Sequence, residues 1–401
     1  MAYRVVITAM GFITSLGRDE ETILKNLRSG KTQFQRSKID PDVVINPVMN
    51  FDLKAITGPC KNRRYLNRGA AFSTAAALLA VQKSGLLPEQ LSKAGLFVGT
   101  GPNLDMDGVL PRNTLGEMEW GRTPALWMLK FIANTPAALI SQFVGINGEN
   151  LTVQTACTAG LTAIGEAFHK IKDGYLQLAL AGAGDSRLNL GGLMAYKKAQ
   201  ALFNGQGAAD QACRPFDINR GGFVSGEGGA FFLLESLEHA MARKAPIMAE
   251  IMGYATSMDA HGMTAPHPEG TFAEKAVKTA LTEAKLAPSE IQMISSHGTS
   301  TLANDAVEAL VLKRIFGPHG PTIMALKSWI GHLSAACGAV ELALSLICQK
   351  AKFWPHIRNL IQPCEPHLTF LQKDREIRAT NVLLENFGFG GQNCALIIRK
   401  W

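Results

Sequence analysis

No two cysteines in the sequence are spaced as CxxC, and the seven present (60, 157, 213, 337, 348, 364 and 394) follow no regular spacing. That pattern argues against a disulfide framework and against a cysteine-built zinc site. No apolar run reaches the ~18 residues of a membrane-spanning helix. The apolar run from Val5 begins almost at once and reads as a strand, with no cleavage-like site after it. Lys and Arg give a net charge of +7 but form no tract of nucleic-acid-binding length. The GxG at 182–184 lacks the later glycine and the acidic partner of a dinucleotide fingerprint. No metal, flavin or pyridoxal motif is visible. The expectation is a cytoplasmic protein with no metal and no cofactor, binding neither nucleic acid nor membrane.

What is present is a globular composition: 47% hydrophobic and 18% charged residues over 401 positions, with 39 glycines. Strand-like runs lie at 4–11, 94–101, 150–156, 176–184, 230–236, 249–255, 292–298, 322–327 and 393–400. Helical patterns lie at 20–29, 67–83, 161–173, 237–243, 273–284, 303–316 and 335–350. Their alternation predicts an α/β fold with largely buried sheets.

Four features then recur in the same order. RVVITAMGFITS resembles AEIMGYATSM, and LFVGTGP resembles MISSHGTS. TVQTACTAGLTAIGEAF resembles IMALKSWIGHLSAACGAVELAL, and GGFVSGEGGAFFLLE resembles NFGFGGQNCALIIRK. Each match is weak alone; four in order predict two similar halves, 1–245 and 246–401. Equivalent strand ends of two such halves meet at their junction, which could gather Cys157, His297 and His332.

Cys157 stands where a strand turns through small residues into a helix. A cysteine among alanines is usually an inert filler. The helix amides that follow would favour its thiolate, and its own amide could bind an oxyanion. His297 ends an apolar strand beside Gly298, Thr299, Ser300 and Thr301. Lys327 follows an apolar run and needs a carboxylate, for which Glu308 is the candidate. His332 precedes a helix of small residues, whose dipole would keep the imidazole neutral. The stretch NFGFGG at 386–391 can turn, move, and present the amide of Phe389.

With these residues in place, the chain resembles the β-ketoacyl–acyl carrier protein synthases of the synthase I/II type and the related polyketide ketosynthases. The motifs that carry the resemblance are TACTAG (155–160), HGTST…ND…E (297–308), KSWIGH (327–332) and FGFGG (387–391). It extends over nearly the whole chain and implies a thiolase-like fold of duplicated βαβαβαββ halves stacked as an αβαβα sandwich. It implies decarboxylative Claisen condensation in fatty acid or polyketide biosynthesis. Cys157 would take the acyl group, and His297 and His332 would hold the malonyl thioester carbonyl. Cys157 and Phe389 amides would form the oxyanion hole, and Lys327 with Glu308 would tune the charge. Thr299 and Thr301 would contact the pantetheine arm, and Phe387 and Tyr196 would line the substrate site. Loop 259–270 would face the gating Phe389.

The implied partners are an acyl carrier protein and a second subunit, either a copy of the chain or a chain-length-factor-like protein. Lys61, Arg63, Arg64, Arg122 and Lys197 are the candidate docking residues for the acidic carrier. Several positions depart from the family pattern. Glu385-Asn386 replaces Asn-Ser, Tyr196 replaces a phenylalanine, and 102–113 lacks the usual glycine-rich pocket segment. These departures favour a specialised pathway. A non-catalytic partner subunit would lack the cysteine, and an acyl-CoA-using priming synthase would carry asparagine in place of His332.

Overall fold

In the computed structural model, residues 2–105 and 115–401 are described. Most of the unusual segment at 102–113 therefore lies outside the described residues. Ten strands carry the fold. In the first half they are β1 (Val5–Ile13), β2 (Gly95–Gly99), β3 (Asn150–Val153), β4 (Leu178–Ser186) and β5 (Ser225–Ser236). The second half supplies β6 (Ala249–Met258), β7 (Met293–Ser295), β8 (Thr322–Met324), β9 (Asn381–Gly388) and β10 (Gln392–Lys400). Seven helices matter here: α1 (Arg68–Gln82), α2 (Thr135–Val144), α3 (Ala159–Lys172), α4 (Leu190–Lys198), α5 (Thr271–Ala284), α6 (Leu302–Phe316) and α7 (Cys337–Ala351).

The strand order is β8-β7-β9-β10-β6-β1-β5-β4-β2-β3. Each half repeats one pattern: β1-β5-β4-β2-β3 in the first and β6-β10-β9-β7-β8 in the second. Parallel and antiparallel pairings match between them. Among these ten strands, the two halves pair edge to edge where Val5, Val6 and Ile7 meet Ile251, Glu250 and Ala249.

The layers follow from the two-residue period of strands. In β4, Ala179, Ala181 and Ala183 face one core, while Leu178 and Leu180 face another with α1 and α2. In β9 and β10, Val382, Leu384, Leu396 and Ile398 face the shared core, while Leu383 and Ile397 face α5 and α6. The shared core holds α3 and α7 between the two sheets. The stack is therefore helix, sheet, helix, sheet, helix. A helix buried all round reads as hydrophobic all round, and α7 is buried at every position from 337 to 349.

Close approach of α3 and α7 requires glycine. A Cβ on Gly338 would lie 2.6 Å from the Leu161 Cβ and would clash with Asn386 Oδ1. Glycine also hid a strand. β5 begins at Ser225, five residues before the expected start at 230, because Gly226, Gly228 and Gly229 read as turn signals. They are there because neighbouring backbone leaves no room for a Cβ: Ala183 O stands 3.0 Å from one on Gly229. Helices α2 and α4 were not marked by sequence pattern at all.

Gly338→Val should lower stability by about 1–3 kcal/mol through overpacking. Urea unfolding checks this; an unchanged midpoint would contradict the close packing of α3 on α7.

Candidate active site

The nucleophile candidate sits on a strained turn. Ala156 adopts φ 50°, in the left-handed region that non-glycine residues avoid, and a short 3₁₀ turn (Ala156–Thr158) leads into α3. The second half repeats this at Ser334 (φ 52°) and the turn Ser334–Ala336 before α7. Position by position, the counterpart of Cys157 is Ala335. The duplication thus supplies two equivalent turns, and only one carries a thiol.

Cys157, His297, His332, Tyr196, Thr299, Thr301, Phe387 and Phe389 line one cavity of about 350 Å³. The imidazoles of His297 and His332 lie edge to face with ring centres 5.7 Å apart. Phe223 stacks on His332 at 4.7 Å and Phe387 packs against His297 at 5.8 Å.

Hydrogen bonds fix the tautomer of each ring. The Ser334 amide donates to His332 Nδ1 at 3.0 Å, so Nδ1 is the acceptor and Nε2 bears the proton. His297 Nδ1 faces two donors, the Lys327 ammonium at 3.2 Å and the Asn386 amide nitrogen at 3.3 Å. Its Nε2 bears the proton as well. Burial and the positive charge of Lys327 push His332 down to about 3 and hold His297 well below the usual histidine range. At neutral pH the cavity therefore contains two uncharged N–H donors.

Lys327 is buried, and its pairing differs from the sequence expectation. Its Nζ donates to Glu341 Oε1 at 2.6 Å, to the His297 carbonyl at 2.6 Å and to His297 Nδ1. Burial alone would lower its pKa, but Glu341 outweighs that and raises it, so the ammonium persists. Glu308, the expected partner, instead accepts the backbone amides of His297 at 2.6 Å and Gly298 at 2.8 Å. It pins the turn that carries His297. Geometry decides this: Glu308 is two turns into α6, under that turn, whereas Glu341 on α7 faces Lys327 directly. The other arm of Glu341 accepts from Asn386 at 2.8 Å. Asn386 was marked from sequence only as a departure from the family pattern, and Glu341 was not marked. The usable signal was a lone carboxylate inside the apolar run CGAVELAL.

A second expectation is reversed. The helix head was expected to favour a Cys157 thiolate. Burial instead pushes the thiol up to about 11, against the opposing pull of Lys327 and of the Phe389 amide, which points at the sulfur. At rest the group is a thiol.

The FGFGG loop is tied to 259–270. Gly390 donates to the Met263 carbonyl at 2.7 Å, and Asp259 accepts from Asn393 at 2.7 Å and from His267 at 2.8 Å. Gly390 and Gly391 turn the chain with φ 84° and 76°, which their lack of a side chain permits. Gly388 is pressed against the nucleophile turn, where a Cβ would stand 3.1 Å from the Cys157 amide. Thr299 and Thr301 hydroxyls meet at 2.8 Å on the cavity wall.

The basic residues divide. Lys61, Arg63 and Arg64 lie exposed on one short turn (Lys61–Tyr65). Arg122 pairs with Glu119 at 2.7 Å, and Lys197 pairs with Asp40 at 2.5 Å, so both carry their own counter-charge. Neither belongs to the free-standing basic patch.

Comparison with known proteins agrees with this architecture. The family described as beta-ketoacyl synthase, N-terminal domain, matches residues 2–240, and its C-terminal domain matches 248–361. A 3-oxoacyl-[acyl-carrier-protein] synthase 2 of Coxiella burnetii is 31% identical, over 99% of this chain and 98% of that one. Two solved structures superpose over the full length of both chains. One is the AntDE:AntF complex, a type II PKS acyl-carrier protein with its ketosynthase (TM-score 0.90, 26% identity). The other is the ishigamide ketosynthase/chain length factor (TM-score 0.90, 27% identity). With a duplicated sheet, a thiol on a strained turn and two neutral imidazoles in one cavity, the chain belongs to the beta-ketoacyl synthase family.

Proposed function

We propose that the protein condenses an acyl group held on Cys157 with a malonyl unit delivered by an acyl carrier protein, extending a fatty acid or polyketide chain. The observation that carries the reading is the pair of neutral Nε2–H donors beside a thiol in one cavity. The Cys157 thiol attacks the acyl thioester, and its proton leaves with the carrier's thiol. A malonyl thioester then enters and loses CO₂. The electron pair of the breaking C–C bond moves onto the thioester oxygen, where the N–H groups of His297 and His332 stabilise it. The enolate carbon attacks the acyl-enzyme carbonyl, whose oxyanion the amides of Cys157 and Phe389 receive; the oxyanion collapses, the C–S bond breaks, and the Cys157 thiolate leaves and takes up a proton from solvent to return to the thiol. One such donor is typically worth ~10²–10³ in rate.

Lys327 is a positioning residue in this scheme. It holds His297 by its carbonyl and ring at once, and its charge keeps the ring neutral. Thr299 and Thr301 would meet the pantetheine arm. The scheme asks for no cofactor beyond that arm. Lys61, Arg63 and Arg64 supply the docking patch for the acidic carrier. A second copy of the chain would cover β3, which among the described residues pairs on one side only and exposes Leu151, and also the exposed Trp120, Leu126 and Met128. Free thiols at all seven cysteines favour a cytoplasmic setting. Among the described residues, no helix is long and apolar enough to cross a membrane.

Three outcomes test the reading. An acyl carrier thioester should leave an acyl adduct on Cys157, detected by peptide mass spectrometry and absent from Cys157→Ala; no adduct on the unaltered protein would sink the enzyme reading. In Cys157→Gln the side-chain amide stands in for the acyl thioester, so malonyl decarboxylation should proceed without condensation. Because both histidines stay neutral far below their ordinary pKa near 6.5, no imidazole should titrate between pH 8 and about 5; the group at the site that can is Glu308, raised to about 7 by burial and by Asp305. An inflection near 6.5 that persists in Glu308→Gln would mean that an imidazole titrates normally. Glutamate at Arg63 and Arg64 should raise KM for the carrier-bound substrate at least ~10-fold more than for a pantetheine thioester. Equal changes for both would place docking elsewhere.

A further inference from the structure

A buried ion pair behind the cavity residues Tyr196 and Cys157 has no part in this scheme. At the end of β4, Arg187 is 4% exposed, and its Nη2 donates to Asp185 Oδ2 at 2.9 Å. Its Nη1 donates to the Pro102 carbonyl. Asp185 in turn accepts the amide of Ala335, at the start of the turn into α7, at 3.1 Å. Three pieces of chain are thereby clamped around one guanidinium: the segment after β2, the end of β4, and the turn into α7.

This clamp adjoins the reacting sulfur. Tyr196, on the cavity wall with Cys157, bonds its hydroxyl to Ser334 at 2.8 Å, and its phenol lies close enough to Arg187 to feel its charge. Asp185 and Arg187 also act on the Cys157 thiol, in opposite directions. Behind the guanidinium stands Gly101, where a Cβ would run into Arg187 and lie 2.9 Å from Asp185 Oδ2. Gly101 borders a second void of only about 10 Å³, with Thr100, Asn67, Ala70 and Thr135 among its walls. A space of that size holds no more than about one water.

The open side of the cavity runs past Thr299, Thr301 and the exposed Leu302 to residues 264–266. A thioester on a carrier arm enters that way, so an acyl group transferred to sulfur extends inward, toward Tyr196 and the end of β4. We propose that Arg187 sets the length of the acyl group that Cys157 accepts. Folded over Gly101, its side chain fills the space a longer chain would occupy. A long acyl group must either stop short or displace Arg187, which breaks its buried bonds to Asp185 and Pro102. The substrate class is then a short acyl thioester. This rests on Cys157 being the acyl acceptor.

The test is acyl loading of the full-length protein, followed by intact mass spectrometry with straight-chain thioesters from acetyl to dodecanoyl. Unaltered protein should load butyryl at least ~10-fold faster than octanoyl. Arg187→Ala should raise the octanoyl-to-butyryl ratio by about tenfold or more. Arg187→Met, similar in volume and unable to pair with Asp185, should raise it by a smaller factor, and it serves if the alanine variant does not fold. An unchanged ratio in these variants, with the adduct still on Cys157, overturns the role of Arg187. So does unaltered protein that loads dodecanoyl as fast as butyryl. No adduct from any thioester on unaltered protein overturns the acyl-enzyme reading and this proposal with it.

Discussion

The Lys327 ammonium is the contact on which the rest of the site depends. A buried cation is tolerable only when paired and fully hydrogen-bonded. Here its three protons go to Glu341, to the His297 carbonyl and to His297 Nδ1. One charge therefore fixes the backbone, the ring orientation and the tautomer of a histidine, and suppresses that ring's protonation. The same carboxylate reaches Asn386, next to the FGFGG loop. Helix α7, the turn of His297 and the glycine loop are joined through one ion pair in the central layer.

Duplication explains how so small a site draws on so much of the chain. The two strained turns at Ala156 and Ser334 are equivalent, yet they do different work. The first presents a thiol. The second presents an amide that sets the tautomer of His332 and, through the amide of the next residue, donates to Asp185. Symmetric backbone with asymmetric side chains places nucleophile and proton-bearing rings face to face across the junction of the halves.

The ordered repeats made the fold legible, because strand and helix periods survive in each half and the motifs fall at equivalent strand ends. The glycines misled locally: at 226–229 they mark close packing inside a strand, not a turn. Helix α4 was missed because its pattern is short and weakly amphipathic. The Glu308 pairing failed for a different reason. Sequence shows that a buried lysine needs a carboxylate, but two carboxylates in the same half satisfied the requirement, and only the direction of α7 against α6 separates them.

By itself the sequence determined the identity of the reacting groups: a cysteine at a helix head, two histidines beside small residues, a lysine that must be paired, and a glycine loop. These are local chemical necessities, set by residue type and spacing. Tertiary structure alone decided which carboxylate meets Lys327, that both rings carry their proton on Nε2, and that Cys157 rests as a thiol. It also decided that Arg187 lies buried behind Tyr196, paired with Asp185. Each of these depends on burial and on contacts between residues distant in the chain, and no local pattern encodes how far water is excluded.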